Sequence, residues 1–137
     1  MAEEIKKEMW LKLLVNCSYN GISAIGHISY GEMVLVQEVK DLINQITKEF
    51  LLIASKEGVH ISEFEAKAVN ESIAKTMATQ VSSTAQDLAK GKKTEINYLN
   101  GYIVQLGKRY GIETPVNLAI YTMVKVLENQ AQTSAIS

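Results

Sequence analysis

MWLKLLVNCSYN, residues 9–20, carries Lys12, Asn16 and Asn20 four positions apart in an otherwise apolar stretch. A step of four turns an α-helix by about 400°, so successive polar groups drift by only about 40° and form one stripe about 12 Å long. Trp10, Leu13 and Cys17 lie on one side of the stripe, and Leu11, Leu14, Val15 and Ser18 lie near the other. The polar line is therefore expected among core-type residues rather than on a solvated face, and an amine buried there loses hydration that only a partner or ligand replaces. Two readings follow. Lys12 snorkels to water while the amides cap or bridge helices, or the three groups line a preorganised cleft in which a lysine donates a proton and amides orient an oxygen-rich substrate. Spacing does not choose between them.

Outward from this stretch the apolar spacing is helical almost throughout, and one proline in 137 residues leaves room for long helices. The expected class is all-α. The first helix is expected from about Ala2 or Glu3 to Tyr19, with Glu3 and Glu4 complementing its dipole and Asn20-Gly21 closing it. GISAIGHISYG, residues 21–31, reads as irregular, with room for a brief helical turn. From Glu32 the positions Met33, Val36, Val39, Ile43, Ile46, Phe50 and Ile53 hold one face as far as Lys56, which predicts a single helix stopped by Gly58.

Ser62 and Glu65 form a capping-box pattern opening a third helix, which the Ser/Thr-rich TQVSSTAQD segment interrupts. A short helix to about Ala89 follows, then the polar turn KGKK and a helix through Ile96, Leu99, Ile103 and Leu106 to Gly111. Thr114-Pro115 supplies a cap and a first-turn proline for a last helix to about Leu127, with the polar tail after it frayed. No internal repeat and no linker is visible, so one domain covers residues 1–137.

The bulk properties narrow the function classes. Lys plus Arg (14) nearly balances Asp plus Glu (15), so no long-range field attracts nucleic acid or an anionic membrane. The longest apolar run, around Phe50 to Ala54, is far short of the roughly 20 residues a bilayer requires. Single Cys17 forms no internal disulfide, and His27 and His60 have no neighbours at metal-ligand spacing. A cytoplasmic, metal-free protein without nucleic-acid or membrane partners is the expectation.

A second informative stretch is SSTAQDLAKGKKTEINYLNGYIVQLGKRYGIETPVN, residues 82–117. By pattern alone, Ser83 to Gln86 reads as another capping box and Glu95 as a first-turn carboxylate. The string itself resembles the ketopantoate reductase family motif SSMxQDxxxxxxTEIDxxNGxxxxxGxxxGIxTPxN, and WLKLLVNCSYNGISAI resembles the family's WxKLxxNxxxNxxxAL block. The blocks stand in the family's order and, with the helices between them, span essentially the whole chain.

The resemblance implies a multi-helix C-terminal domain like that of 6-phosphogluconate dehydrogenase-type reductases. It implies reduction of 2-dehydropantoate to pantoate with NADPH at a cleft between this domain and an N-terminal Rossmann domain. Carried over by position, Lys12 is the catalytic lysine that protonates the ketone oxygen, and Asn16 and Asn20 orient lysine and substrate. Ser83 holds the substrate carboxylate, and Glu95 contacts the substrate hydroxyl and the lysine. Two positions depart from the pattern: Gln80 stands where many relatives have a substrate-binding Asn, and Asn97 replaces the Asp of TEID. Both leave the particular 2-keto acid open.

No GxGxxG follows a strand in the sequence, so the cofactor site is expected on an N-terminal NADP-binding domain that this chain lacks. MAEEIKKEMW then reads as an engineered or split start just upstream of the domain boundary, or as the start of a natural stand-alone product. The chain alone is expected to bind no NADPH and to be inactive, with its exposed docking face favouring a homodimer. Two alternatives stand beside this: a non-enzymatic helical dimerisation module, and the helical domain of a reductase for another 2-keto acid. A cleft joining Lys12 to Glu95 favours the enzyme, and burial of both in a subunit contact favours the module.

Overall fold

A computed structural model describes the backbone of residues 2–136 and the side chains of residues 2–133. Helices α1 (Ala2–Gly26), α2 (Tyr30–Met33), α3 (Gln37–Lys56), α4 (Glu63–Thr76) and α5 (Ser83–Ala89) are followed by a 3₁₀ turn at Ile96–Tyr98. Helices α6 (Asn100–Tyr110) and α7 (Pro115–Ile136) complete the chain, and no strand occurs among the described residues. The all-α expectation holds.

Helix α1 is the axle of the fold. Every residue from Cys17 to Ala24 is buried, so this half of the helix is covered on all sides, by α2, α3, α4, α5 and α7. The core around it includes Leu14, Tyr19, Met33, Ile46, Phe50, Ile53, Ile96, Ile103 and Val124, all inaccessible or nearly so. Trp10 closes the exposed end of the core with its ring edge-on to Phe50 at 5.5 Å.

The helix does not stop at Asn20-Gly21 as expected but continues to Gly26. Gly21 serves helix packing instead of capping: a Cβ there would lie 2.3 Å from Ile120 Cγ2 of α7. The end comes at His27, whose φ of 50° takes the left-handed conformation.

The single helix expected over Glu32 to Lys56 is two. Ser29 caps α2 by accepting from the Glu32 N–H. The N–H groups of Tyr30 and Gly31 donate to the Gln80 and Ala78 carbonyls at 2.9 and 2.8 Å. This distant loop pins α2 away from the line of α3, and the chain turns at Val34–Val36 before α3 begins.

Ser62 caps α4 as expected, accepting from Glu65 N–H at 3.0 Å. Gly111, with φ of 69°, closes α6 as expected. The helix predicted through Ile96 divides at Leu99 into the 3₁₀ turn and α6. At the start of α7 the N–H groups of Val116 and Asn117 donate to the Glu49 carboxylate at 2.9 Å each, so α3 supplies the acceptor that Thr114 was expected to provide. Helix α7 also outruns its expected end near Leu127, because Leu127 and Ala131 pack on Ala24, Ala85 and Leu88.

Candidate functional site

The stripe on α1 descends into the molecule: Lys12 is exposed, Asn16 is half-buried and Asn20 is 6 % exposed. The expectation of a buried amine is therefore corrected. Residue 12 lies about 200° around the helix from both Trp10 and Leu14, the residues that α1 turns to the core, so its side chain faces away from them. Farther along, the packed half of α1 takes the same stripe into the interior.

Asn20 is held at the buried end. Its Oδ1 accepts from the Tyr30 hydroxyl at 3.2 Å, and its Nδ2 has no acceptor among the described residues. Its backbone carbonyl accepts from Ser82 Oγ at 2.9 Å, and the Ser82 N–H donates to Ser23 Oγ at 3.0 Å. Ser82 Oγ also accepts from Ala85 N–H, which makes Ser82 the cap of α5. The capping box placed at Ser83 is thus one residue out. Ser83 is the first residue of α5, exposed, with no hydrogen-bond partner for its hydroxyl among the described residues. The Ser82 bond thus ties the start of α5, where Ser83 stands, to the α1 backbone at Asn20.

Glu95 is exposed and immediately precedes the 3₁₀ turn, not the first turn of α6. Its flanks are anchored. Thr94 donates to Glu128 Oε2 from its N–H at 2.8 Å and from its hydroxyl at 2.6 Å, and the Ile96 N–H donates to Thr94 Oγ1 at 3.2 Å. Burial pushes the Glu128 carboxyl up, but hydrogen bonds from Thr94 and Lys125 outweigh it and hold the group below its ordinary value. Beyond the turn, Asn100 Nδ2 donates to the Cys17 carbonyl at 3.1 Å, and the Tyr102 ring lies 6.3 Å from that of Trp10. The segment after Glu95 therefore touches α1 at Trp10 and at the Cys17 carbonyl. No ion pair or hydrogen bond joins Lys12 to Glu95 among the described residues.

Sequence reasoning missed the polar cluster that sets these elements in place. Asn100 donates to Asn117 Oδ1 at 2.9 Å, and Asn117 Nδ2 donates to Glu49 at 2.8 Å, which ties α1, α3, α6 and α7 together. Glu128 was missed too. Its signal was a carboxylate on the stripe Asn117, Ile120, Val124, Glu128, every member of which is buried.

Other features lie elsewhere or are inert. A groove of about 680 Å³ between α3 and α4, lined in part by Tyr19, Thr47 and Asn70, includes none of the five candidates. Cys17 is buried, and burial pushes its thiol up, away from the reactive thiolate. Among the described residues no group of three or more His, Cys, Asp or Glu could hold a metal ion, and no helix is long and apolar enough to cross a membrane. The glycines sit at helix ends and helix contacts, with no strand-to-helix turn among the described residues to cradle a dinucleotide.

Residues 4–128 match the family described as ketopantoate reductase PanE/ApbA C terminal. A 2-dehydropantoate 2-reductase from Pyrobaculum aerophilum is 34 % identical over 94 % of this chain and 46 % of its own length. One from Salmonella typhimurium is 32 % identical over 95 % of this chain and 42 % of its own length. This chain thus spans less than half of either relative. Among solved structures, a PanE/ApbA family ketopantoate reductase from Ralstonia eutropha superposes with a TM-score of 0.88 at 40 % identity, over 93 % of this chain and 43 % of that one. D-mandelate dehydrogenase, solved with NADH and anilino(oxo)acetate, superposes with a TM-score of 0.88 at 29 % identity, over 93 % of this chain and 53 % of that one.

Proposed function

This chain belongs to the ketopantoate reductase family as a C-terminal domain, and from that premise we propose that it forms the substrate side of an NADPH-dependent 2-dehydropantoate 2-reductase. What supports the reading is the descent from exposed Lys12 to buried Asn20, with the start of α5, which bears Ser83, tied to the Asn20 carbonyl by the Ser82 bond at 2.9 Å. A cation, free amide donors and a free hydroxyl suit an anionic, oxygen-rich substrate. The other wall is an N-terminal dinucleotide-binding domain, which would cover exposed Met9, Tyr98 and Tyr102.

NADPH, which that domain would hold, would supply the hydride for the ketone carbon. As negative charge grows on the ketone oxygen, the Lys12 ammonium neutralises it and delivers a proton to that oxygen, leaving an alcohol. The Ser83 hydroxyl donates to the substrate carboxylate, and the Asn16 and Asn20 amides orient substrate and lysine. Glu95 holds and aims the amine and accepts from the product hydroxyl.

The test is NADPH oxidation by the two-domain enzyme carrying this chain, with 2-dehydropantoate and with aryl-substituted 2-oxo acids. Turnover of 2-dehydropantoate at the highest kcat/KM is expected. A preference for an aryl acid would favour the second reading, a reductase for another 2-keto acid, which the likeness to D-mandelate dehydrogenase supports. No oxidation with any 2-oxo acid would favour a non-enzymatic dimerisation module.

A further inference from the structure

We propose that Glu128 is a positioning residue that sets the Thr94–Ile96 backbone and so aims the Glu95 carboxylate. The inference rests on Glu95 belonging to the site described above. Both Glu128 oxygens are engaged: Oε2 takes the Thr94 N–H and hydroxyl at 2.8 and 2.6 Å, and Oε1 takes the Lys125 ammonium at 2.9 Å. Thr94 Oγ1 in turn accepts from the Ile96 N–H, and the Glu95 carbonyl accepts from the Tyr98 N–H at 2.8 Å. Main-chain groups on both sides of Glu95 and its own carbonyl are thereby tied down, while its side chain stays exposed and unpaired among the described residues.

Burying a carboxylate is costly unless its oxygens are satisfied, and here the anchor fixes buried Thr94 and Ile96 on either side of exposed Glu95, the one side chain of the three that projects outward. Reacting groups, by contrast, lose much of their effect when displaced by about 1 Å. Helix α7 is suited to carry the anchor because Leu127 and Ala131, flanking Glu128, pack on α5, the helix that begins with Ser83. One helix thus sets the spacing of the Glu95 and Ser83 segments.

The experiment is steady-state kinetics on the two-domain enzyme with 2-dehydropantoate and NADPH, using Glu95→Gln, Glu128→Gln, Thr94→Val, Thr94→Ser and the Thr94→Val/Glu95→Gln pair. Glu128→Gln and Thr94→Val should each lower kcat roughly 10- to 100-fold. The KM for NADPH should stay within about twofold, and Thr94→Ser, which keeps the hydroxyl, should restore turnover. In the Glu95→Gln background, Thr94→Val should add little further loss, because it acts through the carboxylate already removed. If Glu128→Gln does not fold, the two Thr94 variants decide. Losses that multiply in the pair, or wild-type kcat in Thr94→Val when Glu95→Gln is impaired, overturn the positioning role and leave Glu95 in the site. Wild-type kcat in Glu95→Gln removes both.

Discussion

Gly21 and Ile120 meet where α1 and α7 cross, so closely that a Cβ on Gly21 would stand 2.3 Å from Ile120 Cγ2. Val124 Cγ2 and Asn100 Oδ1, at 3.7 and 3.8 Å from the same point, close off the nearby space. Ile120 is β-branched and buried, so its side chain has few rotamers to retreat to. Gly21→Ala would gain up to about 1 kcal/mol of helix propensity. The overlap should cost more, leaving the chain about 1–2 kcal/mol less stable. Urea unfolding monitored by circular dichroism checks this, and a variant as stable as the parent would show that α7 shifts without cost.

Asn100 should matter for stability far more than Asn97, although both fall in the motif segment. Asn100 is inaccessible and donates to the Cys17 carbonyl and to Asn117, whereas Asn97 is exposed. Asn100→Ala strands the buried Asn117 Oδ1 and takes a second donor from the helical Cys17 carbonyl, and should cost about 1–3 kcal/mol. Asn97→Asp, which recreates the commoner family residue, should stay within about 0.5 kcal/mol of the parent. Equal unfolding midpoints for the two variants would contradict the bridging role of Asn100.

Acid should expose the contribution of Glu128. Its carboxyl is held below the ordinary value, with burial opposed by the Thr94 and Lys125 hydrogen bonds. A group depressed in the folded state adds stability that is fully present above the unfolded-state pKa and is lost as pH falls through the folded-state pKa. Glu128→Gln should therefore be about 1–3 kcal/mol less stable than the parent at neutral pH. The gap should narrow on acidification below the usual carboxylate range. Unfolding curves at several pH values test this, and a gap that stays constant to low pH would mean that the charge contributes nothing.

How far the sequence could be read depended on whether local chemistry or distant packing made each choice. Ser62 and Gly111 act on their own helices, and both were legible as a cap and a stop. Asn20-Gly21 carries a helix-stop pattern, yet the same glycine is what a close helix crossing requires, and only the position of Ile120 decides between them. Ser82 and Ser83 are adjacent hydroxyls at a helix start. The bond from Ser82 to the Asn20 carbonyl, 62 residues away, assigns the cap to the first and leaves the second free. Periodicity put Lys12, Asn16 and Asn20 on one face but could not give their depth, which depends on where the surrounding helices end.

Lys12 offers the sharpest separation of chemistry from folding. Its side chain is exposed and has no hydrogen-bond or ion-pair partner among the described residues, so Lys12→Ala should leave the unfolding midpoint of the chain nearly unchanged. On the proposed mechanism the same change in the two-domain enzyme removes the proton donor for the ketone oxygen, and kcat should fall by about 10²–10⁴. The KM for NADPH should change little, because the proposal assigns the cofactor to the other domain. Lys12→Arg keeps the charge but releases its proton far less readily, so it should recover only a small part of the loss. Near-parental turnover in Lys12→Ala would take this amine out of the mechanism, whereas full recovery in Lys12→Arg would assign it charge stabilisation without proton transfer.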